Sequence, residues 1–144
     1  MIRIVCVGKI KENYLAEMIH DYLLRINKYH RTEIVEVKDS NPETEAGLII
    51  KQIPKQSFKV IMDIDGVNLN SEQLSAVLEE WLCHTGNVCF IIGGSNGLSD
   101  EVKSLANYRL SFGKNTFPHG LFRGILLEQL YRSFKILNNE SYHK

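Results

Sequence analysis

Apolar residues along this chain follow two alternating rhythms. Short runs rich in β-branched and aromatic residues occupy positions 2–7, 33–37, 58–64, 88–92 and 108–112, and each is short enough to be a strand. Between the first two runs, Leu15, Met18, Ile19, Tyr22, Leu23 and Ile26 recur at three- and four-residue spacings. That spacing predicts a helix beginning near Glu12, its apolar stripe turned toward the sheet. Asn41 before Pro42, with Glu43 and Glu45 following, predicts a second helix start, because proline loses nothing at the first helical position and carboxylates favour the positive end of the dipole. Asn70 or Ser71 opens a third, and Ser99 before Asp100 and Glu101 a fourth. The last helix starts at Pro118 and presents Phe122, Ile125, Leu126, Leu130, Phe134 and Leu137 on its apolar face. Arg123, Glu128, Arg132 and Lys135 fall mostly off that face, with Glu128 one turn before Arg132. Residues 138–144 read as an unstructured tail. Strands alternating with helices predict an α/β fold on a parallel sheet.

With 144 residues, 44% hydrophobic and 24% charged, the chain fits one globular domain spanning residues 1–144, with a core that needs no disulfide or metal. No apolar run reaches the roughly 20 residues of a membrane helix, and the first strand leads straight into Lys9, Lys11 and Glu12. Cys6, Cys83 and Cys89 are an odd number, each in or beside apolar sequence, as reduced core thiols are; a cytoplasmic, reducing location is expected. Seventeen basic and seventeen acidic side chains cancel, which argues against polyanion binding through the overall field. The charge is unevenly spread, however. Residues 36–100 carry four Lys and Arg against ten Asp and Glu, whereas residues 101–144 carry seven against three. A basic last third could face phosphates.

Ligands of open α/β sheets bind at the carboxyl ends of the strands. Three segments qualify: Asp65-Gly66, the loop Gly93-Gly94-Ser95-Asn96-Gly97, and the loop running from Gly113 to His119. Three glycines in five residues allow a backbone to approach a ligand closely. The spacing fits neither a dinucleotide fingerprint, whose first glycine is replaced by Ile92, nor a phosphate loop. It does match Gly-x-Ser-x-Gly, a nucleophile elbow around Ser95, but no aspartate follows Asp100 to complete the acid-then-histidine order. Zinc is not expected, because Cys83 and Cys89 are six apart and no Cys-x-x-Cys or His-x-x-x-His pair exists. His20, His30 and His84 read as surface or core-edge residues. His119, beside a glycine-bearing loop, stands nearer any ligand bound there, and Tyr142-His143-Lys144 combines a stacking ring, an imidazole and a cation.

Several of these segments occur in a recognisable order. Phe90-Ile91-Ile92-Gly93-Gly94-Ser95-Asn96-Gly97-Leu98 precedes Leu110-Ser111-Phe112, Thr116-Phe117-Pro118-His119, Arg123, Leu127-Glu128-Gln129-Leu130-Tyr131-Arg132 and Tyr142-His143-Lys144. Val5 to Lys9 and Met62 to Gly66 fit as well. The whole resembles the ribosomal RNA large subunit methyltransferase H family, of the SPOUT methyltransferase class. The resemblance implies methyl transfer from S-adenosylmethionine to N3 of a pseudouridine in helix 69 of 23S ribosomal RNA, on the assembled ribosome. It also implies a C-terminal trefoil knot, contrary to the usual rule against threaded chains, and a homodimer in which the tail of one subunit completes the site of the other.

Carried over position by position, the resemblance places S-adenosylmethionine among Met62, Gly93, Phe112, Gly113, Lys114, Asn115, Thr116 and Phe117. His143 with Tyr142 and Lys144 would position the uracil and assist loss of its proton, with Arg123 or His119 as alternatives. Gly113, Asn115, Gly120 and Ser141 depart from the residues expected there, and the stretch from Asp39 to Gln56 is short for the family. Two other classes remain open: a ribosome-bound RNA-binding module that would not use the glycine loop, and a serine hydrolase using Ser95.

Overall fold

The computed structural model describes residues 1–144. Strands β1 (Ile2–Val7), β2 (Thr32–Val37), β3 (Phe58–Asn68), β4 (Val88–Ile92) and β5 (Tyr108–Ser111) form one sheet in the order β2-β1-β4-β3-β5, with every neighbouring pair parallel. Helices α1 (Asn13–Asn27), α2 (Pro42–Gln52), α3 (Ser71–Thr85), α4 (Asp100–Lys103) and α5 (His119–Leu137) alternate with them. The α/β parallel-sheet expectation holds.

The period of two along each strand divides the core between the two faces of the sheet. Ile2, Ile4, Cys6, Val60, Val88, Phe90 and Ile92 pack on one side with residues of α1, α3 and α5, while Val5, Val7, Ile61, Cys89 and Ile91 pack on the other with Ala46, Ile49 and Val102. Both faces are covered, which is why β4 is buried along its whole length.

Local chemistry sets the helix starts. The Asn41 side chain accepts from Thr44 N at 2.8 Å, and Ser99 accepts from Val102 N at 3.3 Å. Asn70, rather than Ser71, caps α3: it accepts from Gln73 N at 2.8 Å while the Gln73 side chain accepts from Asn70 N at 2.9 Å. Such reciprocal capping satisfies two donors that the helix leaves open.

Four expectations need correction. The third strand does not end at position 64. It continues to Asn68 past an irregularity, because Leu110 of β5 pairs with both Met62 and Val67, so residues 63–66 bulge outward. Asp63 holds the bulge, accepting from Asp65 N at 3.0 Å and pairing with Arg109 at 3.4 Å. Arg123 is buried rather than off the apolar face of α5, since α5 lies between α1 and α3 and has little outer surface. Cys83 is exposed; only Cys6 and Cys89 are core thiols, and burial pushes each of those two up to about 12. The tail is docked, not frayed: the Tyr142 ring meets Tyr131 edge-on at 4.8 Å, and the Arg132 guanidinium lies 4.8 Å from the Tyr142 ring.

Candidate functional site

The carboxyl ends of β3, β4 and β5 open into a cavity of about 450 Å³. Its walls come from the β3 bulge, the Gly93–Leu98 loop and the segment between β5 and α5. Seven of the eight residues expected around a cofactor line it: Met62, Gly93, Phe112, Gly113, Asn115, Thr116 and Phe117. Lys114 does not; its side chain is exposed between wall residues.

Two of the three segments are held together by a buried hydroxyl. Ser111 Oγ accepts from Gly113 N at 3.1 Å and lies 3.1 Å from the carbonyls of Ile64 and Gly113, to either of which it can donate. This clip joins the β3 bulge to the loop after β5. Gly113 has φ +110°, a conformation that L side chains rarely adopt, so the turn after Ser111 depends on glycine. Gly93 is needed for space: a Cβ there would come 2.9 Å from Leu98 Cγ.

The cavity is apolar for most of its wall, through Met62, Ile64, Ile92, Leu98 and Leu110, with Phe112 and Phe117 packed on Phe122 at 5.8 and 6.2 Å. Backbone groups of glycine-containing loops and a hydrophobic lining suit a flat adenine ring and an aliphatic chain, so these residues fit the donor molecule that the resemblance implies. Sequence reasoning missed Ser111, Leu98, Phe122, Asp63 and Lys103 as wall residues. The Asp63, Leu98 and Ser111 positions stood within the quoted motifs, whereas Lys103 carries no local signal.

The other named residues lie elsewhere. Arg123 is 3% exposed and donates to Val7 O at 2.8 Å, Gly8 O at 2.9 Å and Glu36 Oε2 at 2.7 Å. It therefore braces the turn after β1. His119 lines the cavity at the start of α5. Ser95 also lines it, and no histidine is hydrogen-bonded to its hydroxyl.

The tail frames a second recess of about 460 Å³ that shares Phe112 with the first and is walled also by Asn68, Asn70, Gln129 and His143. His143 Nδ1 lies 3.1 Å from Arg132 Nη1, and its Nε2 lies 2.7 Å from Glu72 Oε1. A guanidinium only donates, so Nδ1 accepts and Nε2 carries the proton that Glu72 receives. The start of α3 and then the His143 bond hold the Glu72 carboxyl below its ordinary range. The Tyr142 phenol donates to Glu128 at 3.2 Å, and burial, then Tyr22 and Glu128, push it above its ordinary value, so it stays protonated. Lys144 is exposed at the chain end.

A parallel sheet with a glycine-lined cavity at its carboxyl ends defines the class, and comparison bears it out. The family model described as "Predicted SPOUT methyltransferase" matches residues 1–143. The chain is 46% identical over 159 aligned positions to the ribosomal RNA large subunit methyltransferase H of Clostridium botulinum (strain Kyoto / Type A2), covering 99% of each chain, and 45% identical to the protein of that name from the Langeland strain, again covering 99% of each. The alignment is longer than the 144-residue chain, so those relatives carry insertions that it lacks.

Among solved structures, the fold is similar to a "probable methylase family protein" from Haemophilus influenzae Rd KW20, with TM-score 0.58, 16% identity and coverage of 99% of this chain and 70% of that one. It is also similar to the SpoU methyltransferase AviRb from Streptomyces viridochromogenes, with TM-score 0.51, 9% identity and coverage of 98% and 62%. The chain belongs to the SPOUT methyltransferase family and, within it, to the ribosomal RNA large subunit methyltransferase H group. It is an enzyme whose methyl donor is S-adenosylmethionine. No helix is long and apolar enough to cross a membrane, and no group of three or more potential ligands could hold a metal.

Proposed function

We propose that this chain methylates N3 of a pseudouridine in helix 69 of 23S ribosomal RNA, on the assembled ribosome and as a homodimer. The observation that carries the reading is the glycine-walled cavity, built from seven of the eight residues expected around S-adenosylmethionine, in a chain 46% identical to ribosomal RNA methyltransferases. The trefoil knot belongs to the same reading, supported by family membership.

S-adenosylmethionine supplies a methyl already activated on a sulfonium. The protein therefore has to hold donor and acceptor in line, exclude water, and receive the N3 proton. Met62, Gly93 and the 112–117 segment, Lys114 at its exposed turn included, would hold the donor. Tyr142, with its phenol protonated, and Lys144 would position the uracil. His143 would take the proton through Nδ1, the lone pair now occupied by Arg132. Tyr142 and His143 stand outside the cavity of their own chain, which supports completion of the site by a partner subunit. Arg123, enclosed by Val7, Gly8 and Glu36, is left with a structural role in this reading.

The test is transfer of labelled methyl to ribosomes lacking the helix 69 mark, with the product nucleoside identified by mass spectrometry. N3-methylpseudouridine is the expected product. Label in another nucleoside overturns the substrate; no label in any RNA overturns the reaction.

A further inference from the structure

One charge in the cavity wall has no partner. The wall contains a single carboxylate, Asp63, which is 10% exposed and already paired with Arg109 at 3.4 Å. Its only lysine or arginine is Lys103, from the last turn of α4, which forms no ion pair within 4.0 Å. The rest is apolar or neutral apart from His119. Lys103 is half-buried, and an unpaired ammonium in the wall of a recess favours an anion, because the attraction is screened less there than at the open surface.

The donor carries one anionic group, the carboxylate of its amino-acid end. Building on the cofactor reading above, we infer that Lys103 binds this carboxylate and thereby fixes the end of the cavity at which the amino-acid group lies. Adenine is then left to the glycine loops, and the activated methyl to the region between. Asp63, compensated by Arg109, does not cancel the attraction. Lys103 is a specificity residue for the donor: it separates S-adenosylmethionine from adenosine thioethers and amines of the same shape that lack a carboxylate.

The inference is tested by calorimetric titration of the purified protein with S-adenosylmethionine and with its decarboxylated form, which differ only in that group. The parental protein is expected to prefer the carboxylated ligand about tenfold, the order of one partly desolvated ion pair. Lys103→Ala should abolish the preference by weakening S-adenosylmethionine alone, and Lys103→Arg should retain it. Equal weakening of both ligands, an unchanged preference in Lys103→Ala, or loss of the preference in His119→Gln instead would overturn the assignment. So would a Lys103→Ala protein with normal donor affinity but weakened ribosome binding, which would give the lysine to an RNA phosphate. Parental protein that binds neither ligand would refute the cofactor site itself, and the Lys103 role with it.

Discussion

Replacing Arg123 by methionine should separate a structural brace from a catalytic cation. The side chain is 3% exposed and its guanidinium donates to the carbonyls of Val7 and Gly8 at 2.8 and 2.9 Å. Methionine keeps most of the aliphatic packing but leaves those carbonyls without a donor. The Glu36 side chain is 38% exposed and can regain water, so its share of the loss is small. Two charge-assisted hydrogen bonds at about 1.5–3 kcal/mol each give a cost of about 3–6 kcal/mol. For a domain of this length that lowers the melting temperature by about 10–20 °C. Denaturant unfolding and a thermal scan measure it, and methyl transfer at 15 °C supplies the second readout. The brace predicts a large loss of stability with donor affinity and turnover largely kept in the fraction that remains folded. A variant that melts within 2 °C of the parent but has lost methyl transfer would refute the reasoning and return Arg123 to the reaction.

Gly113→Ala should cost about 1–3 kcal/mol of strain at φ +110°, part of it relieved by loosening the 112–117 segment, so donor affinity should fall about tenfold in a titration. Parental affinity would show that the turn is not set by glycine. His143→Ala should leave the fold and donor binding intact while slowing methyl transfer to ribosomes at least a hundredfold, the scale of a lost general base; transfer at the parental rate would remove the assignment. Because burial raises the Cys6 and Cys89 thiols to about 12 while the unfolded chain releases those protons near pH 9, unfolding is favoured as pH rises between those values. Stability should be insensitive to these thiols below pH 9 and fall by about 1.4 kcal/mol per pH unit for each above it; between about pH 9 and 10, below the range in which Tyr142 contributes, the steepness should halve in Cys89→Ala, as urea titrations would read. In native protein at pH 8 a thiol reagent should label Cys83 alone, and all three cysteines should react once urea unfolds the chain.

What the sequence determined by itself is local and periodic. Strand and helix register follow from which residues alternate, and the starts of α2, α3 and α4 follow from Asn41, Asn70 and Ser99, whose side chains answer backbone donors three residues away. The glycine loop and the 112–117 segment were legible as walls of a candidate site because both follow strands and both carry residues whose freedom or bulk has a local meaning. What only the tertiary structure decided depends on neighbours far apart along the chain. Pairing with β5 turned Asp65-Gly66 from a strand end into a bulge. The position of α5 between α1 and α3 buried Arg123 under a turn 115 residues away. Contact with α3 and α5 docked a tail that is polar enough to read as frayed. Lys103 and Asp63 became wall residues of one cavity through the same kind of folding. A side chain's periodicity is fixed by its own segment, but its burial and charge environment are fixed by whatever the fold brings against it.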